Sequence, residues 1–333
     1  EMIEIIKILL EKNLAYEAGG TIYFNVKKFK DYGKLSGNTL SKMDNLLKAV
    51  RVSLETDKKE SIDFALWKKA EAGRIMKWDS PWGEGFPGWH IECSAMSIKY
   101  LGDTFDIHTG GEDLIFPHHE DEIAQSEGAS GRKFVNYWLH GAYLLVNNAK
   151  MSRSKGNVYT ISDLEKKGFD PLAFRYLTLM NHYRSKMNFT FESLEAAQIG
   201  YKRLIDEVAK FKNPKIGCAE FEEKFLEAIN DDLNMAKALS IVWELLKSDY
   251  PNSAKAESLF KMDQVLGLDL EHAKEKKKHL KIVVPAQIKK LIEERGDLRK
   301  QGSYTQADHI RNRIKKLGYS IKDTEKGVIV EKI

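Results

Sequence analysis

Apolar residues recur along this chain with two different periods, and each change of period marks a change of element. The opening run Glu1-Met2-Ile3-Glu4-Ile5-Ile6-Lys7-Ile8-Leu9-Leu10 has amphipathic helical rhythm. Thr21 to Val26, just after Gly19-Gly20, is rich in β-formers and reads as a strand. Lys48 to Val52 is a short mixed run, followed by a charged stretch from Glu55 to Glu60, and Phe64 to Lys69 is a second apolar-aromatic run. Between residues 80 and 146 short apolar strands (Phe105 to His108, Leu139 to Val146) alternate with helical stretches (Trp89 to Leu101, His118 to Glu127). That alternation predicts a parallel sheet of α/β type. A helix is expected over Ile161 to Lys167. Farther on, Leu194, Ala197, Tyr201, Leu204, Ile205 and Val208 recur every three or four residues, as do Leu239, Val242, Leu245 and Leu246. This part reads as an α-helical bundle, and the charged run Lys274 to His279 reads as a linker to a small final domain.

Composition narrows the class. A chain of 333 residues with 42% hydrophobic residues can bury a sizeable core, and its length suggests two or three domains. No apolar run approaches the ~18 residues that a membrane helix needs. Two cysteines, Cys93 and Cys218, are too few for a disulfide framework and point to a reducing cytosol. Cys218 reads as a small structural residue. The net charge is only +4, but residues 271–333 carry 17 basic and 9 acidic side chains, leaving −4 for the rest. Such a terminal basic excess suits a phosphate backbone, although a charge run alone is more often solvated surface.

Candidate chemistry is concentrated between Gly88 and Glu127. His118 and Glu122 stand four apart after Pro117, which places both on one helix face. With Cys93 upstream they offer thiolate, imidazole and carboxylate, three ordinary zinc donors. The Cys-to-His spacing is not that of a finger or ribbon, so a buried cysteine beside a solvated charged helix is the competing reading, and His119 and Glu120 are alternative donors. Thr109-Gly110-Gly111 after Phe105 to His108 reads as a tight turn of the kind through which α/β sheets approach nucleotides. Lys150-Met151-Ser152-Arg153-Ser154-Lys155-Gly156-Asn157 is either a solvated basic loop or an anion clamp built from Lys, Arg and Ser donors.

Taken in order, these segments resemble a known family. KMSRSKGN is similar to the KMSKS signature of class I aminoacyl-tRNA synthetases. GEGFPGWHIECSAM with HTGGEDLIFPHHEDEIAQSE closely resembles the cysteinyl-tRNA synthetases, and the likeness continues through HYRSKMNFT into the C-terminus. The resemblance implies the second half of a Rossmann-like nucleotide-binding fold followed by an α-helical bundle and a small C-terminal α+β domain. Its implied regions are a connective insertion on the acceptor-end side (1–80), the catalytic half (81–146), a KMSKS and stem-contact region (147–195), the bundle (196–284) and an anticodon-binding domain (285–333). It implies activation of cysteine by ATP, used with Mg, to cysteinyl-adenylate and transfer to cysteine tRNA, by a cytoplasmic monomer with no membrane association.

Site residues follow from the same resemblance. The family's zinc is bound by two Cys, one His and one Glu, so Cys93, His118 and Glu122 would be three ligands of one zinc per complete subunit. Lys150, Ser152, Arg153 and Ser154 would form the catalytic loop. Trp89 would wall the amino-acid pocket, with His108 near the amino acid and Asp113 near the ribose. Arg299, Tyr304 and Asp308 would read the anticodon. Three positions depart from the pattern: Arg153 stands for a second Lys, Thr109 for Gly, and Tyr304 for Trp.

The family's HIGH motif and fourth zinc ligand are not found here, and the chain starts without Met in mid-rhythm. It therefore reads as the C-terminal part of a longer protein, exposing a sheet edge and inactive in isolation. Two other readings remain at this stage. One is an ATP-dependent ligase joining cysteine to an amino sugar, against which residues 285–333 argue. The other is a non-catalytic tRNA-binding fragment.

Overall fold

The computed structural model describes residues 1–38, 57–211, 213–279, 284, 286–324 and 327–332. The Lys48 to Val52 run and the first two residues of the Glu55 to Glu60 stretch lie outside the described residues. The chain divides into two compact units, residues 1–142 and 143–333.

In the first unit, helix α1 (Met2–Glu11) buries Ile5, Ile6 and Leu9, the apolar stripe read from its rhythm. An antiparallel sheet follows, with strands in the order β1 (Ala15–Ala18), β2 (Thr21–Phe24), β3 (Phe64–Lys69) and β4 (Gly85–Pro87). Gly19 and Gly20, with φ of 60° and 81°, make the two-residue turn between β1 and β2. Two successive positive φ values match the right-handed twist of a hairpin and favour glycine at both places. Ile22, Phe24, Phe64 and Leu66 point into one core with Ile91 and Ala95 of α2 (Trp89–Leu101) and Ala124 of α3 (Glu120–Ser130). Phe24 and Phe64 stack at 5.0 Å there, each contributing roughly 1.5–3 kcal/mol by burial.

Strands β5 (Phe105–Gly111) and β6 (Val135–Gly141) pair in parallel, with α3 in the crossover between them. The alternation of strand and helix thus yields the expected βαβ unit. The register partners Ile107 and Tyr137 remain exposed.

Two sequence readings change in this unit. Gly110 and Gly111 are the last residues of β5 and form no turn. His118 and His119 precede α3 in a single π-helical turn, Ile115–His119, in which Phe116 is extended. His118 and Glu122 still share one face.

In the second unit, β7 (Leu144–Val146) pairs antiparallel with β8 (Ala149–Lys150) and parallel with β9 (Met187–Phe189). Leu139 to Val146 is therefore two strands, with residues 142 and 143 as the break. Helix α4 (Ile161–Lys166) starts from a Thr160/Asp163 capping box, and α5 (Pro171–Leu179) from Asp170, whose side chain accepts from Leu172 N. The bundle is built of α6 (Phe191–Val208), α7 (Ala219–Asn230), α8 (Met235–Lys247), α9 (Asn252–Leu266) and α10 (Ala273–His279). The recurrent apolar positions read for α6 are all buried, and Cys218 is buried at the start of α7.

The Lys274 to His279 run is helical, contrary to its reading as a linker. Ala273 is buried against the bundle, and Lys276 and Lys277 reach Asp269 (3.0 Å) and Asp206 (3.8 Å). The last elements are α11 (Ala286–Lys300), α12 (Tyr304–Lys316) and a hairpin of β10 (Tyr319–Thr324) and β11 (Gly327–Lys332). They enclose a small core of Ile288, Leu291, Ile314, Tyr319 and Ile321. Among the described residues no helix is long and apolar enough to cross a membrane.

Candidate functional site

Helices α2 and α3 lie side by side, and the candidate site sits at their N-terminal ends. Gly88 caps α2 with its N–H donating to Leu66 O at 2.8 Å, so the helix begins hard against β3. From that start α2 carries Trp89, His90 and Cys93. The π turn and first turn of α3 carry His118, His119, Glu120, Asp121 and Glu122, and all five are buried. Three consecutive buried carboxylates are expensive unless each finds a partner.

Each carboxylate has a separate use. Glu120 accepts from Gly33 N (3.1 Å) and Ser36 N (2.6 Å). Asp121 accepts from the Tyr32 hydroxyl and lies 3.2 Å from His90 Nε2. Glu122, with no exposed surface, sits between two imidazoles: Oε1 is 2.9 Å from His118 Nε2, and Oε2 is 3.6 Å from His108 Nε2. The shorter approach has the length of a hydrogen bond without its alignment, and neither carboxylate oxygen has a hydrogen-bond donor among the described residues.

The donor atoms of Cys93, His118 and Glu122 lie within 4.8 Å of one another. Zinc bonds of about 2.0–2.3 Å separate tetrahedral donors by roughly 3.3–3.8 Å, so a single ion fits among them. His118, His119 and Glu122 were all candidates from sequence, and the structure forms a second, overlapping group from His108, His119 and Glu122.

Electrostatics favours the first group for a cation. Burial depresses the His118 imidazole, but Cys93 and Glu122 beside it outweigh burial and push it up to about 9. The surroundings therefore stabilise positive charge at that point. His119 goes the other way: burial, then the neighbouring His108, His140 and His118, hold it down at about 3. It is a neutral ring, with Nδ1 2.8 Å from His140 Nε2. Burial also lowers His108, against the pull of Glu122.

The adjoining predicted positions are close by. The Trp89 ring lies 4.3 Å from that of His118, with 59% of the residue exposed, as the wall of an open pocket would be. Asp113 is exposed and folds back over Gly111, where a Cβ would meet its Oδ1 at 2.5 Å. A Cβ on Gly110 would stand 2.6 Å from His119 Cε1. The paired glycines thus serve close approach of neighbouring side chains, the role that their reading as a turn missed.

The remaining candidates belong to the second unit. Lys150, Arg153 and Ser154 are exposed and Ser152 is half-buried. Asn157 closes this loop: its Oδ1 accepts from Ser152 N (2.8 Å) and its Nδ2 donates to Lys150 O (3.2 Å). In the C-terminal domain Tyr304 is 62% exposed at the start of α12, and Asp308 is exposed one turn later. Arg299 is paired to Asp323, which also binds Arg295 through both guanidinium nitrogens at 2.9 and 2.7 Å. Sequence reading missed His90, Asp121, His140 and Asp323, because each meets a partner far along the chain.

A family model described as tRNA synthetases class I (C) catalytic domain matches residues 1–199. The cysteine–tRNA ligase of Caldicellulosiruptor saccharolyticus is 41% identical over 357 residues, covering 100% of this chain and 74% of the relative. That of Thermococcus onnurineus is 43% identical over 362 residues, with the same coverage. That of Thermus thermophilus is 42% identical over 349 residues, covering 98% of this chain and 72% of the relative.

Proposed function

The chain belongs to the cysteine–tRNA ligase family of class I synthetases, and we propose that Cys93, His118 and Glu122 hold a zinc ion with which it selects cysteine. The activity is ATP-dependent joining of cysteine to tRNA, through cysteinyl-adenylate. The observation that carries the zinc assignment is Glu122: a fully buried carboxylate with neither oxygen accepting a hydrogen bond among the described residues, within 4.8 Å of the donor atoms of Cys93 and His118.

Zinc, when bound, supplies a borderline-soft Lewis acid that takes a thiolate far better than a hydroxyl. The chain's own residues do the rest. Cys93, His118 and Glu122 would hold the ion, with the exposed Trp89 ring 4.3 Å from that of His118. That ring covers the side chain of the amino acid. Gly110 and Gly111 leave room for His119 and Asp113 at the end of β5, and Asp113 would stand at the ribose. Lys150 and Arg153 would meet the charge that moves onto pyrophosphate, the role that the resemblance of their loop implies. Asn157 holds the loop in shape. Selection by a required polar contact reaches about 10⁴ or more, which makes separate editing of serine unnecessary. Residues 285–333 carry the anticodon contacts, with Tyr304 stacking and Asp308 accepting from a base edge.

Cysteine-dependent exchange of pyrophosphate into ATP by the full-length enzyme, run beside metal analysis of the full-length parent, Cys93→Ala and His118→Ala, tests this reading. The expected result is one zinc in the parent, loss of zinc in both variants, and exchange that discriminates cysteine from serine only with zinc present. Equal zinc content and equal cysteine affinity in all three proteins would refute it.

A further inference from the structure

The candidate ligand His118 has a second nitrogen, and the structure gives it an unusual partner. His118 Nε2 faces Glu122, while His118 Nδ1 lies 2.7 Å from His90 Nδ1. His90 Nε2 in turn lies 3.2 Å from Asp121 Oδ2, at ion-pair distance though outside hydrogen-bond alignment. Asp121 Oδ1 accepts from the Tyr32 hydroxyl. All of these groups are buried: His90 at 8% exposure, His118 at 4%, Asp121 at 1% and Tyr32 at 8%.

Proton bookkeeping along this line has one solution. A metal ligand must offer a lone pair, so with Nε2 toward the ion the His118 proton resides on Nδ1. His90 Nδ1 must then accept it, which puts the His90 proton on Nε2, toward the Asp121 carboxylate. The carboxylate favours that arrangement, and the tyrosine hydroxyl fixes the carboxylate's other oxygen. We propose that Asp121 and His90 form a positioning relay that locks His118 into its metal-binding tautomer and ring orientation. Neither residue touches the ion or the substrate. An imidazole as the outer partner of a metal-bound histidine replaces the more usual carboxylate or carbonyl, with the carboxylate one step farther out. The two helices make this possible. His90 comes from α2, and His118 and Asp121 are three residues apart on the turn leading into α3. The relay also ties the site to the segment around Tyr32, which Glu120 moors through Gly33 and Ser36.

This inference rests on the zinc reading above, and its test separates the two. Zinc and cobalt affinity are measured by chelator competition in the parent, His90→Ala, His90→Gln, Asp121→Asn and the double variant His90→Ala/Asp121→Asn. The cobalt thiolate band reports whether Cys93 stays bound, and ¹⁵N ring shifts of His118 report its tautomer. Removal of an outer partner typically lowers metal affinity 10–100-fold. His90→Ala is expected to lose that much while keeping the thiolate band. His90→Gln, which retains an acceptor for Nδ1–H, should recover part of it. Asp121→Asn should matter in the parent and add little once His90 is gone. In the zinc-loaded proteins, ring shifts should show His118 protonated at Nδ1 in the parent and a mixture of Nδ1–H and Nε2–H forms in His90→Ala. Far-UV circular dichroism and urea midpoints identify any variant that misfolds, and His90→Gln then carries the test. A parent that binds no metal refutes the zinc reading. A parent that binds it, with His90→Ala and His90→Gln equally tight and the His118 tautomer unchanged, overturns the relay alone.

Discussion

Gly88→Ala isolates the contact on which the site is built. Gly88 has φ −64° and ψ 158°, a conformation open to alanine, so the change adds no backbone strain. Its effect is steric. The new Cβ would lie 2.0 Å from the carbonyl oxygen of Ala65 and 2.9 Å from its carbonyl carbon. Ordinary contact begins at 3.4 Å, so helix and strand must part by about 1.4 Å. Both obstacles are backbone within the sheet and no rotamer relieves them. Overpacking of this kind costs about 1–3 kcal/mol, and here the upper end applies. The same shift carries Cys93 and His90 away from His118 and Glu122, whereas metal bonds tolerate only about 0.2 Å. The variant should therefore unfold at lower urea concentration and bind zinc at least tenfold more weakly. Gly296→Ala is the control: nothing lies within 4 Å of its Cβ, in the interior of α11. It should leave zinc binding unchanged and stabilise by up to ~1 kcal/mol. Parent-like urea midpoint and zinc affinity in Gly88→Ala would refute the close-approach argument.

Three further outcomes are expected. Lys150→Ala should slow cysteine-dependent pyrophosphate exchange by ~10²–10³ while leaving cysteine binding nearly intact, as removal of a transition-state charge does; steady-state exchange with a cysteine-binding titration checks it. Tyr304→Ala and Asp308→Ala should lose preference for the cysteine anticodon while exchange stays near normal, the stacking ring being worth ~1–3 kcal/mol; charging assays with anticodon-substituted tRNA decide. Asp323 is held down at about 2, first by its hydrogen bonds to Arg295 and then, against burial, by the charges of Arg295 and Arg299. A depressed carboxylate stabilises the fold above the unfolded value of about 3.9 and loses that contribution as pH falls through about 2. Urea midpoints of Asp323→Asn should thus fall below the parent's at pH 6 and converge with them toward pH 2.

Local signals were legible in the sequence because their causes are local. The stripe on α6, the strand after Gly19-Gly20, the βαβ alternation and the i, i+4 pair of His118 and Glu122 each depend on spacing within a few residues. The family could be read from the order of its motifs, and the comparisons place the chain there. Only tertiary structure could say that Cys93 meets His118 and Glu122, because that requires α2 to cross α3 at the right height. It also reassigned the glycines at 110 and 111: their freedom from side chains is needed by His119 and Asp113, which approach them in space. The charged run at 274–279 is a helix whose start, Ala273, is buried against the bundle, with Lys276 reaching the nearby Asp269 and Lys277 reaching Asp206 of α6. His90 and Asp121 drew no reading in the sequence and are buried partners in the fold. Spacing fixes which face a residue occupies, but what lies opposite that face is set by packing between segments distant in the chain.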